Sequence, residues 1–171
     1  WTYPDPKTLV FDIQSGIKFH DGTPLDAEAV KFNIDRGRAD QRSNVKADLT
    51  SIESVEVTGP LQVTLKLKNA DSALPAIFSD RAGMMVSPTN IKALGNDTDR
   101  KPVGAGPWKF VRWADNEAIV VTRNDNYWRP GRPYLDGIEF NIIPELATAL
   151  RSVVAGQNDM SFALPARLKP V

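Results

Sequence analysis

The chain has 171 residues, 42% of them hydrophobic and 25% charged, proportions ordinary for a soluble globular protein and unlike a disordered one. Twenty-one basic residues balance twenty-one acidic ones, which gives no electrostatic footprint for nucleic acid or an anionic membrane. Cysteine is absent and His20 is the sole histidine; disulfides, thiolate metal sites, iron–sulfur clusters and cysteine nucleophiles are excluded, and a histidine-rich metal site is out of reach.

Leu9, Phe11 and Ile13 alternate with Val10, Asp12 and Gln14, the pattern of a strand with one dominant apolar face. Ser15-Gly16 turns the chain into a short extended segment at 17–19, and His20-Asp21-Gly22-Thr23-Pro24 is a dense turn cluster. Asp26 is a good N-cap for a helix whose Ala27, Val30 and Ile34 share a face, with Gly37 as its expected stop. Residues 38–48 are polar and charged. Val55 and Val57, then Leu61, Val63, Leu65 and Leu67, alternate on either side of Gly59-Pro60 and predict an antiparallel hairpin with one wet face.

Residues 72–80 predict a short helix, Met84-Met85-Val86 a buried strand, and Ser87-Pro88 the start of another helix ending near Gly95. The polar stretch GNDTDRKP at 95–102 is the best candidate linker. Beyond the bend Gly104-Ala105-Gly106-Pro107, Trp108 and Phe110 lie in a strand, residues 119–122 run back, and 124–137 form a Pro-, Gly- and Asn-rich loop. Ile138, Phe140 and Ile142, a helix entered at Pro144 and stopped by Gly156, and a strand at 160–164 predict a βαβ unit with a parallel pair. The opening WTYPDPKTLVFDIQ has no signal-peptide pattern, no apolar run approaches the roughly 18 residues that span a bilayer, and both ends of the chain read as cut.

The residues offer little catalytic chemistry. No serine lies in G-x-S-x-G, and any triad would need His20, which sits beside Asp21 in a turn. GAGPWK lacks the third glycine of a dinucleotide loop, and Pro107 removes a backbone donor from it. Carboxylates such as Asp97, Asp99 and Asp125 are scattered. Arg36, Arg38, Arg42 and Lys46 are interleaved with Asp35, Asp40 and Asp48, which favours a solvated face over an anion site. Tyr127-Trp128 either anchors its loop or lines a ligand cleft, and spacing alone favours anchoring. Arg81 either pairs locally, the reading the residues favour unaided, or presents its planar fork to a carboxylate. No cofactor or metal is implied.

Three ordered blocks carry a resemblance. TLVFDIQSGIKFHDGTPLDAEAVKFNIDR, then VGAGPWKFVRW with VTRNDNYWRPGRPYLDGIEFNIIPE, then ATALRSVVAGQNDMSF together resemble the family 5 extracellular solute-binding proteins, the dipeptide-, oligopeptide- and nickel-binding components of ABC importers. The resemblance covers essentially the whole chain. It implies a mixed α/β (α+β) fold in which residues 1–103 are the accessory domain of lobe one and residues 104–171 part of its core α/β domain, with the βαβ unit at 138–163. Lobe two, the hinge and the leader would lie outside the chain.

The resemblance further implies a non-enzymatic receptor, periplasmic or extracellular, that closes two lobes around a peptide-like or other small polar solute. Its partners would be that ligand, an ABC permease in the membrane and the remainder of its own chain, and it would be membrane-associated only through the importer. In the nickel-binding branch an arginine at the place of Arg81, seven residues before Pro88, contacts the carboxylate of the metal chelate. The same branch has a tryptophan near residues 44–49, where RSNVKADL has none, and this argues against a nickel chelate. Ala105 replaces the usual threonine of the second block. The expected ligand-binding residues are Arg81, Tyr127 and Trp128. The alternatives are a non-transport interaction or chaperone-like module on the same fold and, after it, an enzyme.

Overall fold

The computed structural model describes residues 1–162. It contains two antiparallel sheets. The first has the order β1 (Thr2–Asp5), β2 (Thr8–Asp12), β4 (Gln62–Leu67), β3 (Ile52–Gly59). Strands β2 and β4 are central, and register places Leu9 against Leu65 and Phe11 against Val63, with Val55 against Leu65 on the other side. The alternating apolar residues therefore fall on one face, where α1 (Ala27–Ala39) covers them. Leu9, Ile34, Leu49, Ile52, Val63, Leu65 and Leu74 are essentially sealed from water. Edge strand β1 was not legible in TYPD, which does not alternate; Pro4 is tolerated because an edge leaves one side of the ladder unpaired.

Asp26 caps α1 as its position predicts, its carboxylate accepting from Ala29 N at 2.9 Å. The helix does not stop at Gly37. A Cβ there would lie 3.3 Å from Leu49 Cδ1 and 3.5 Å from Val45 Cγ2, so Gly37 serves close packing of the 45–49 segment against the helix, which runs on to Ala39.

The expected strand at 84–86 does not form. Short helices α2 (Leu74–Phe78) and α3 (Pro88–Leu94) flank a 3₁₀ turn at Arg81–Gly83 and an extended segment that meets no strand edge. A side chain replaces the missing ladder: Asn33 of α1 accepts from Val86 N at 3.0 Å and donates to Val86 O at 2.9 Å. Met85 turns toward the core, while Met84 is 68% exposed.

The second sheet runs β5 (Trp108–Ala114), β6 (Ala118–Arg123), β7 (Gly137–Asn141), antiparallel throughout. The β6–β7 pairing does not bear on the expected parallel pair, whose second strand is the 160–164 segment. Strand β7 and helix α4 (Leu146–Val154) are present, with Glu145 as N-cap, but residues 160–162 form no strand. The end of the expected 160–164 strand lies outside the described residues. Alternation at 138–142 reports a strand and its wet face, not the direction of its neighbour.

The 95–102 stretch is anchored. Residues Gly95–Asp99 form a 3₁₀ turn with Thr98 buried, and Arg100 pairs bidentately with Asp115 while stacking 4.2 Å from the Trp113 ring centroid. His20 is a junction residue. Its backbone N–H donates to Gly104 O at 2.8 Å, and its Nε2 lies 3.0 Å from Gly106 O, which Asn124 Nδ2 also approaches at 3.1 Å.

Beside it, Asp21 accepts from Ser87 Oγ and from both the hydroxyl and the backbone N–H of Thr23. Burial acts to raise the Asp21 pKa, but these hydrogen bonds together hold it below the ordinary value. A depressed folded pKa gives stability that is present above the unfolded value of about 3.9 and is lost as pH falls through the folded one. Asp21→Asn is therefore expected to melt lower than the native chain at neutral pH and to show a shallower loss of melting temperature on acidification. Parallel melting-temperature profiles from about pH 7 to about pH 2.5 would refute this.

Candidate functional site

Arg81 stands on the 3₁₀ turn after α2, and what holds that turn fixes the site. A Cβ on Gly83 would lie 1.8 Å from Phe78 O, so the turn lies flat against the end of α2. Asn33 ties down the following segment from the α1 side. Between this turn, the C-terminal half of α1 and the 42–45 segment lies a pocket of about 210 Å³ whose charged lining is Arg36, Arg42, Arg81, Asp40 and Asp99. Asn33, Arg36 and Gly37 recur at helical spacing along one stripe of α1, which is how one helix supplies three lining residues, and Asp40 follows as its C-cap.

Three arginines here face two aspartates. Arg42 is 3.6 Å from a carboxylate oxygen of each of Asp40 and Asp99. Asp40 is held below its ordinary pKa, first by the Arg42 backbone N–H that it accepts and then by the Arg42 and Arg36 charges, against the opposing effect of desolvation. Arg36 and Arg81 have no carboxylate partner within 4.0 Å among the described residues. Two guanidinium groups are thus left with donors to offer. A planar fork of this kind matches a carboxylate, which it can hold by two parallel hydrogen bonds.

The charged cluster read from the sequence as a solvated face divides in two. Lys31 and Arg38 both pair with Asp35, at 2.6 and 3.1 Å, and form that face. Arg36 and Arg42 turn to the pocket. A larger, open groove of about 640 Å³ lies over Phe32, Ala39 and Ile91 between α1 and α3. It shares Arg36 and Arg42 but adds the neutralised Lys31–Asp35 pair, so it offers an anion nothing that the smaller pocket lacks.

Tyr127 and Trp128 do not line the Arg81 pocket. Their ring centroids are 5.7 Å apart, Tyr127 N donates to Asn124 O at 3.0 Å, and Arg129 stacks 4.7 Å from the Trp128 centroid. These contacts hold the loop after β6. Among the described residues no group of three or more histidines or acids is gathered to hold a metal ion, and no helix is long and apolar enough to cross a membrane.

The pocket gathers three arginines and two aspartates on a mixed α/β frame. The whole chain, residues 1–171, matches the model of the bacterial extracellular solute-binding proteins, family 5, and it belongs to that family. It is 31% identical over 162 residues to the glutathione-binding protein GsiB of Salmonella paratyphi A, covering 94% of this chain and 32% of that protein. Among solved structures it is similar to the binding protein AgaA of A. tumefaciens R10 in complex with agropinic acid. There the TM-score is 0.85 and the identity 26%, over 92% of this chain and 32% of the other. It is also similar to the oligopeptide-binding protein AppA of Bacillus subtilis in complex with a nonapeptide, with TM-score 0.80 and 27% identity over 91% and 32% of the two chains. The chain thus spans about a third of the length of the curated relatives it matches.

Proposed function

We propose that the chain is part of the solute-binding component of an ABC-type importer and supplies one wall of its ligand site. Arg81, with Arg36 and Arg42 beside it, receives the carboxylate of a peptide-like or other small polar solute. The observation that carries this is the convergence of Arg36 and Arg81 on one pocket with no carboxylate partner for either within 4.0 Å among the described residues. Membership of an extracellular family supports a periplasmic or extracellular location, with attachment to the membrane only through the importer's permease. Glutathione, agropinic acid and a nonapeptide, the ligands named for the relatives, all carry carboxylates and support the same reading.

The work of such a protein is binding and release. A second lobe closes over the pocket, excludes water and adds polar partners of its own, and the solute shifts the population toward the closed form because it binds that form more tightly. Tyr127 and Trp128 hold the loop after β6, away from the Arg81 pocket.

The test is Arg81→Ala in the full-length, two-lobed protein. Affinity for a carboxylate solute should fall by about 1.5–3 kcal/mol, the scale of a charge-assisted hydrogen bond. Arg81 is exposed and makes no ion pair among the described residues, so the ligand-free melting temperature should not change. A large loss of stability with unchanged affinity would make Arg81 a structural residue.

A further inference from the structure

The segment 81–85 sorts its side chains between two destinations. Ala82 and Met85 pack against the core of the first sheet, whereas Arg81 and Met84 line the pocket without packing against that core. The backbone fixes this division. Gly83 N donates to Asp80 O at 3.0 Å, Met84 N donates to Arg81 O at 3.2 Å, and Asn33 clamps Val86 two residues on. Met84 is therefore held from both flanks with its side chain 68% exposed.

A lone exposed apolar residue needs no explanation, but this one shares a pocket with the guanidinium groups that lack partners. The other apolar side chains of the lining, Val45 and Ala82, are engaged with the core. Met84 is the large apolar side chain there that is not. Methionine is unbranched and polarizable, and it adapts to aliphatic, branched or aromatic partners.

We propose that Met84 is a specificity-determining residue of the site, the contact for an apolar group carried by a solute whose carboxylate lies on Arg81. This rests on the carboxylate reading given above. The solute class is then narrower than small polar anions: it comprises carboxylates with an aliphatic or aromatic arm near the carboxyl group. When the site closes, Met84 and that arm leave water together. A change of a few methylene groups in such a contact is worth on the order of tenfold in affinity.

The experiment compares the native full-length protein with Met84→Ala, Met84→Leu and Arg81→Ala by calorimetric titration. The probes are two matched series, glycylglycine with glycylleucine and glycylphenylalanine, and glutathione with S-hexylglutathione. Within a series the carboxylates are the same and only the apolar arm grows. The native protein should prefer the longer arm by about tenfold. Met84→Ala should bring the longer-arm probes down to the affinity of the shorter-arm probe without changing the ligand-free melting temperature, Met84→Leu should restore the preference, and Arg81→Ala should weaken every probe alike. Binding without preference for the arm, or a preference that survives in Met84→Ala, overturns the role of Met84 and leaves the carboxylate site standing. Binding of no probe by the native protein, or equal binding by Arg81→Ala, overturns the carboxylate reading itself and this inference with it.

Discussion

Gly83→Ala is expected to displace the turn that carries Arg81 and Met84, and to remove both stability and binding at once. The added Cβ would lie 1.8 Å from Phe78 O, 2.8 Å from Phe78 C and 3.2 Å from Phe78 Cα. All three are backbone atoms, so no side-chain rotation relieves the clash. Either α2 or the turn must move. The Phe78 ring packs edge-on against Phe11 of β2, with centroids 5.4 Å apart, and α2 begins at the fully buried Leu74. Helix α2 is thus tied to the core, and the turn is the part that gives way. Overpacking of this kind costs about 1–3 kcal/mol. Moving the turn displaces two pocket residues together, so solute affinity in the two-lobed protein should fall at least as far as in Arg81→Ala. Urea denaturation measures the first effect and titration the second. A Gly83→Ala protein that keeps native stability and affinity would show that the geometry of this turn does not set the site.

The outcome at 81–86 also marks where reading the sequence stops. The 52–67 hairpin is legible because its alternation is strict and a single face is buried, and the caps Asp26 and Ser87 are legible because their hydrogen bonds are local: Ser87 Oγ accepts from Asn90 N at 3.3 Å. Met84-Met85-Val86 is as apolar as a buried strand, yet a strand needs a neighbour, and what the chain brings there is the amide of Asn33, more than fifty residues earlier. A buried polar residue on the apolar face of a helix is the one local sign of such a partner. The pocket was half visible. Arg81 could be singled out, whereas Arg36 and Arg42 were hidden in a run where acids and bases alternate. The fold decides which acids those arginines face: Asp35 is taken by Lys31 and Arg38, on the other side of α1 from Arg81. The pairing of β7 with β6 was not legible either, because the irregular loop 124–136 between them carries no signal of strand direction.

The 171-residue chain by itself is expected to bind such carboxylates with dissociation constants weaker than about 1 mM, where a two-lobed protein containing it binds well. Arg42 and Arg81 are exposed, and Met84 is 68% exposed. A guanidinium–carboxylate pair left in water gains little over the hydrogen bonds that water already makes with each partner. A ligand site becomes strong when a second wall covers it, since closure strengthens every polar contact inside and buries the apolar ones. The second sheet also presents apolar side chains to solvent. On β5, Val111 is 53% exposed and Trp113 42%, and at β7 and just past it Phe140 is 38% and Ile142 36% exposed; exposed apolar surface of this kind favours self-association. Sedimentation of the isolated chain should therefore show concentration-dependent association, and calorimetry of both proteins against the same peptide should register heat only for the longer one. Micromolar binding by the 171-residue chain would mean that Arg36, Arg42 and Arg81 suffice without a second wall, and the proposed capture by closure would have to go.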